Sequence, residues 1–436
     1  MRLSRWLVAA GLAWMPLAGV SGELLNVVND TLRHDAELLA ANDGVAVGRE
    51  EPAIARAALL PRLDGGWGRS YNQIKTDNLP TTTYWQNGWM ITLTQPVFDW
   101  ERWVALRQAN LAGARAELEY ASAWQALVLR SANAYLDLLA ASQELAGASD
   151  YLNAVTRQLA LTQKLQAGGE ATVIDVQEAQ SRLGEAQLRQ QDASRLLASR
   201  RRAVETLAGR EVAIPEQNSP QRKAPWLKVR SLQQWVNQAQ SRSFAVQLGE
   251  LDVRDAGEGI EKARAQFLPV VNLSASHAPS GAASGYSEPT TTNSATLTIS
   301  APLFSGGENR ARIRQATAKE DQARHQLLAA SRKSAADTRD WLQRFNDAQE
   351  RARALGEITE INHSVLAATR QGYLAGSRSN LDVLRAQEAL FTSRTQQVRA
   401  RYEMLSAFLA LKAEVASLSL GDVQLIDSWL AGDAQR

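Results

Sequence analysis

The chain has 436 residues, 45% hydrophobic and 22% charged, with a formal net charge of +2 and no cysteine. That balance points to no nucleic-acid partner, and the missing thiols exclude disulfides, thiolate chemistry and a lipid attached through an N-terminal cysteine. Removing residues 1–22 takes away Arg2 and Arg5 and leaves the remainder neutral.

Residues 1–22 (MRLSRWLVAAGLAWMPLAGVSG) have a basic start, an apolar run from Trp6 to Val20, and small residues leading to Gly22. This is the layout of a secretory signal peptide cut near Gly22. The run is brief for a membrane anchor, and no later stretch reaches the ~20 consecutive apolar residues of a spanning helix. Any crossing of a membrane must therefore be made by strands.

The first repeat is expected over 23–213. A helix over about 24–58 ends before Pro61, because a residue preceding proline is pushed out of the helical region. Two strands follow, at about 61–73 and 86–97, joined by a Thr/Asn/Pro loop. A proline-free helix then runs over 100–166, about 100 Å long at 1.5 Å per residue. Gly168 and Gly169 break it, and a return helix covers 173–208. A linker rich in Pro, Asn, Gln and Lys follows at 214–226.

The same order recurs over 227–418, with strands at about 269–278 and 294–302, a long helix at 307–374 and a return helix at 380–416. Leu60-Pro61 matches Leu268-Pro269, Pro96-Val97-Phe98 matches Pro302-Leu303-Phe304, and Gly169 and Asp175 match Gly376 and Asp382, all about 206–208 residues apart. The tail, 419–436, suggests no role.

Apolar and small residues recur at spacings of three and four along the rods, as in Leu138, Ala141, Leu145, Ala148, Leu152, Val155 and Leu159. Val176, Ala179, Leu183 and Ala186 continue the stripe on the return helix, and Val383, Ala386, Leu390, Met404 and Leu411 repeat it in the second copy. Such stripes predict coiled-coil packing, with small residues allowing close approach.

The strands alternate instead. In Ala295 to Ser300 every odd residue is apolar and every even one carries a hydroxyl, while Trp89, Ile91 and Leu93 oppose Met90, Thr92 and Thr94. Strand length, alternation and the girdle of Trp67, Trp85, Trp89 and Trp100 suit a transmembrane barrel, with Arg69 near a headgroup. A small soluble sheet is the plainer alternative; the export segment and the long rods favour the membrane. Four strands cannot close a barrel, and open edges are not tolerated in lipid. The chain must oligomerise, as a dimer of eight strands or a trimer of twelve.

Enzyme chemistry has no footing, and no cofactor is implied. His34, His277, His325 and His363 lack metal-type spacing, and neither a phosphate loop nor a nucleophile elbow is present. The pattern of interest lies at the turns, where Thr172-Val-Ile-Asp175 and Ser379-Asn-Leu-Asp382 each open a return helix as a capping box.

The ordered set LLPRL, TQPVFDWERW, AGGEATVIDV, AQFLPVVNLSAS, SAPLFSGGENR and YLAGSRSNLDVL resembles the TolC family of outer-membrane channel proteins across nearly the whole mature chain. The resemblance implies a mainly α fold with a membrane β-barrel. In it a homotrimer builds a twelve-stranded barrel in outer-membrane lipid, continuous with a coiled-coil tunnel in the periplasm. It implies a passive duct for drug efflux or type I protein secretion, working with a periplasmic adaptor and an inner-membrane ABC or proton-driven pump. By position, Asp382 resembles the family's pore-ring aspartate, Tyr373 and Arg378 its pinning residues, and Asp175 their acidic partner. Gly169 and Gly376 resemble its adaptor-docking positions, and Pro61, Pro96, Pro269 and Pro302 mark the barrel-to-helix junctions. An Arg378–Asp175 link is expected to hold the tip closed. The chain departs from the family at Arg385, where a second ring aspartate is usual. The alternatives are a periplasmic coiled-coil adaptor or binding protein of an export complex, and a diffusion porin, for which the helical mass is too great.

Overall fold

The computed structural model describes residues 22–78, 80–214, 231–281 and 290–431. The expected signal segment (Gly22 apart) and the linker beyond Ile214 lie outside the described residues.

The chain opens with α1 (Glu23–His34) and α2 (Ala36–Ala57), followed by strands β1 (Arg62–Ile74) and β2 (Thr82–Phe98). Then come the long helix α3 (Trp100–Ala167) and its return α4 (Val173–Ala208). The second copy consists of α5 (Leu232–Arg242), α6 (Phe244–Ala265), β3 (Val270–Gly281), β4 (Thr290–Ser300), α7 (Glu308–Leu374) and α8 (Asn380–Glu414). A last helix, α9 (Leu420–Ala431), closes the described chain.

The single helix expected over 24–58 is two helices. Asp35 ends α1 in extended backbone and caps α2 by accepting from the Leu38 N–H at 2.9 Å. Ser243 does the same between α5 and α6, accepting from the Val246 N–H at 3.3 Å. The break therefore belongs to the repeat. Helices of 12, 22 and 36 residues lie end to end beside the 68 of α3, and helices of 11, 22 and 35 residues beside the 67 of α7.

Within each half the short helices pack along the long one, and α3 also lies against α6 and α8 of the other half. Alanines one heptad apart (Ala141 and Ala148 on α3; Ala179, Ala186 and Ala193 on α4) are all buried, so the paired backbones approach closely. The largest core sits about 40 Å from the strand end of α3, where Val128, Leu136, Leu138 and Leu139 meet Val204, Phe345, Met404, Leu405 and Leu409. Each such side chain, nearly free of solvent, contributes roughly 1.5–3 kcal/mol through burial.

The tail that the sequence left without a role belongs to this core. Val423 and Ile426 are fully buried and Trp429 nearly so, against α1. At about 3.6 residues per turn, side chains three apart lie on one face of a helix, so Val423, Ile426 and Trp429 together seat α9.

The four strands form one antiparallel sheet in the order β1-β2-β3-β4, so the two halves are joined through β2 and β3. The register sets Leu63, Trp67 and Tyr71 opposite Leu93, Trp89 and Trp85, and Val271 and Leu273 opposite Ile299 and Leu297. Odd positions thus share one face, apolar over most of its length, with Arg69 opposite Asn87 and His277 bonded to Asn293 towards its far end. The even face carries Ser70, Asn72, Thr92, Thr94, Ser274, Ser276, Thr296 and Thr298. Both faces are largely exposed in the single chain, including Trp67, Leu297 and Ile299. The Arg69 guanidinium lies 4.4 Å from the Trp85 ring centre, which shelters a cation at the end of the apolar band.

The junctions differ in detail from a strand ending at each proline. β2 continues two residues past Pro96, and its register against β3 shifts between Pro96 and Phe98. Pro96 lies beyond the last pair with β1, so its missing N–H breaks no ladder on that side. Asp99 then starts α3 by accepting from the Arg102 N–H at 3.3 Å. Pro61 and Pro269 immediately precede β1 and β3, while Pro302 follows β4 in a segment that leaves Leu303 and Phe304 almost fully exposed.

Candidate functional site at the helical turns

Both long helices end on a glycine in left-handed backbone, Gly169 at φ 79° and Gly376 at φ 72°. The next N–H reaches back five residues in each case, Glu170 to the Leu165 carbonyl at 2.8 Å and Ser377 to the Gly372 carbonyl at 2.8 Å. A Cβ at either glycine would meet nothing within 4 Å, so the backbone conformation alone demands glycine there. Val173, Ile174 and Leu374 are exposed around these turns.

Each return helix opens with a full capping box. Asp175 accepts from the Thr172 N–H at 2.9 Å and hydroxyl at 2.7 Å, and its own N–H donates to that hydroxyl at 3.2 Å. Asp382 and Ser379 repeat the arrangement at 3.0, 2.9 and 3.2 Å. These Ser379 bonds, helped by Arg378 and Arg385, hold the Asp382 carboxyl below the usual carboxylate range.

The expected Arg378–Asp175 link is not made within the chain. The Asp175 carboxylate is turned into its own cap, and the Arg378 side chain lies over Gly372, where an added Cβ would come 2.8 Å from its Cγ. A short aspartate bonded locally loses less conformational freedom than one reaching a long exposed arginine, so the cap wins. Tyr373 packs with Leu366, Val383, Ala386 and Leu390, while its hydroxyl is buried without a hydrogen-bond partner among the described residues.

The link between the halves is made by Asn380, which the sequence did not single out. It is 2% exposed, and its Oδ1 accepts from Gln158 Nε2 at 2.8 Å and Thr162 Oγ1 at 3.1 Å. Its Nδ2 donates to the Asp175 backbone carbonyl at 3.1 Å. One amide thus clasps α8 to both α3 and α4. The first repeat has Val173 at this place, exposed, and that inequality between the copies is the sequence signal that marks Asn380.

Further from the turn, Glu388 of α8 is paired with Arg182 at 3.1 Å and Arg189 at 2.8 Å. Arg394 meets Asp150 at 3.1 Å, and Arg399 meets Glu144 at 2.7 Å. Partly exposed pairs of this kind contribute ~0.2–1 kcal/mol each. They align α8 along the first hairpin while the buried amide fixes its end.

A profile of the outer membrane efflux protein family matches residues 27–210 and 235–416. The proteases secretion protein PrtF of Dickeya chrysanthemi is 28% identical over 432 residues, covering 95% of this chain and 93% of its own. The alkaline protease secretion protein AprF of Pseudomonas aeruginosa is 28% identical over 443 residues, covering 98% and 91%. In fold, the chain resembles a membrane protein of Pseudomonas aeruginosa solved by crystallography, with a TM-score of 0.80 at 22% identity over 91% of this chain and 94% of that one. With both repeats matched from first helix to return helix, the chain belongs to the outer membrane efflux protein family.

Proposed function

We propose that three copies of this chain form a passive export duct. Each β4 edge pairs with the β1 edge of the next copy, closing a barrel of about twelve strands whose odd face meets lipid. The observation that carries this reading is the sheet itself: apolar on one face, hydroxyl-bearing on the other, and open at both edges. Among the described residues of the even face only Arg62 and Asp64 are charged, and they pair with each other at 2.8 Å. Such a lumen wall is wet and nearly neutral, which suits varied cargo.

The helical turns form the periplasmic end and its gate. Three Asp382 carboxylates round an axis favour cations, and Arg385 one turn on offsets them locally. Tyr373 seats its ring between the two helices of the second hairpin, and Arg378, lying over Gly372, finds its bonding partner in the neighbouring copy. The open turns at Gly169 and Gly376, flanked by exposed Val173, Ile174 and Leu374, receive the tip of a periplasmic adaptor. Energy comes from an inner-membrane pump, an ABC transporter or a proton-driven one.

The cargo is a secreted protein. Both relatives described above are named for protease secretion, and they align with nearly the whole chain. The test is deletion of the gene, followed by proteomics of the medium and antibiotic susceptibility. A protein missing from the medium, with susceptibility unchanged, is expected. Heightened susceptibility with an unchanged medium would make this a drug-efflux duct instead.

A further inference from the structure

Asp427 of α9 carries a carboxylate that no cationic side chain among the described residues meets. Its residue is 4% exposed, and its oxygens accept from the Leu24 N–H at 3.3 Å and the Leu25 N–H at 3.2 Å, at the start of α1. The Gly22 N–H also donates to it. A Cβ at Gly22 would fall 2.1 Å from Asp427 Oδ1, so the peptide joining Gly22 to Glu23 lies directly against the carboxylate. Among the described residues no lysine or arginine forms an ion pair with Asp427. Arg210, in the same corner, is held by Glu23 at 2.8 Å and Asp30 at 2.6 Å. The buried Tyr135 hydroxyl nearby is neutral, its proton held more tightly by burial and by the Glu23 and Asp427 carboxylates.

A buried carboxylate without a counter-charge is expensive, and here burial pushes the Asp427 carboxyl up despite its backbone donors. The sequence places the cut of the signal peptide near Gly22, the residue that rests on this carboxylate. Hydrolysis adds water across the Gly22–Glu23 peptide. The hydroxyl goes to the departing Gly22 carbonyl and a proton to the Glu23 nitrogen, which gains a second as the new Gly22 carboxylic acid ionises at neutral pH. A neutral amide is thereby replaced by an ammonium group framed by the Leu24 and Leu25 N–H groups.

We propose that the α-ammonium of Glu23, created when the leader is removed, is the cationic partner of Asp427, so that processing completes the core between the first helix and the last. An uncut chain keeps an unpaired carboxylate where α1 and α9 meet. The cut chain pins both ends of the protein together at the level of the main core.

The mature protein, purified from outer membranes in detergent, tests this by reductive methylation at neutral pH with peptide mass spectrometry. The chain is expected to start at Glu23, with its α-amine methylated about tenfold more slowly in the native assembly than after boiling in dodecyl sulfate, since pairing with a carboxylate raises an amine pKa. Asp427→Asn is expected to remove that protection in assemblies that still form. If this variant fails to assemble, one serine inserted after Glu23 moves the amine away from Asp427 and reads the same point. A different first residue, equal labelling of native and boiled wild type, or protection that survives either variant overturns the proposal.

Discussion

Asn380 joins three groups with a single amide, and its value lies in what its loss would strand. Alanine there leaves the Gln158 amide without its partner, at about 1–3 kcal/mol if it stays buried, while Thr162 keeps its bond to the Gln158 carbonyl at 3.0 Å. In planar bilayers, Asn380→Ala should raise single-channel conductance and broaden its distribution, because the end of α8 is no longer fixed to the first hairpin. An unchanged conductance would show that the clasp does not hold the gate. The capping boxes were legible in Thr172-to-Asp175 and Ser379-to-Asp382, since a cap is a local device written within four residues. Asn380 was not, because its partners lie more than two hundred residues away and only packing brings them together. The same limit explains the misplaced Arg378–Asp175 link: opposite charges can be read from a sequence, but not which of them is already engaged.

At the scale of elements, the rods were legible almost to the residue because length, glycine breaks and a sustained stripe all agree. Two elements were less so. Asp35 divides the first helix, and nothing in the apolar stripe signals it; the carboxylate cap and its pair with Arg130 at 2.6 Å make the break stable. The last helix is short, and only the main core gives Val423, Ile426 and Trp429 something to bury against. Its contribution is measurable. Ile426→Ala removes a fully buried side chain and should lower stability by about 2–5 kcal/mol, read as a fall in the denaturation midpoint of the detergent-solubilised protein. A midpoint unchanged from wild type would mean that α9 is a surface appendage.

At the scale of the molecule, the two faces of the sheet predict opposite tolerances at adjacent residues. Leu297 lies on the odd face and Thr298 on the even one. Leu297→Arg should block assembly in the outer membrane, because a cation facing lipid costs about 2–4 kcal/mol near the midplane, whereas Thr298→Arg should assemble and alter ion selectivity. Equal behaviour of the two variants would argue against a barrel with this orientation. The alternation was legible from period two alone, and so was the need for several copies, but the sheet order was not, because nothing local in the chain specifies that β2 meets β3.

That order has a further consequence. The seam inside each chain, β2 against β3, joins the end of one repeat to the start of the next, which is also what β4 against a neighbour's β1 accomplishes. Six half-length chains of this design would close the same ring, but every hairpin in it would be identical. Fusing the halves in pairs lowers the symmetry from sixfold to threefold, so the hairpins marked by Asn380 and those carrying Val173 in its place need not behave alike. An iris with alternating blades needs such inequivalence, and a duplicated chain whose copies have diverged supplies it.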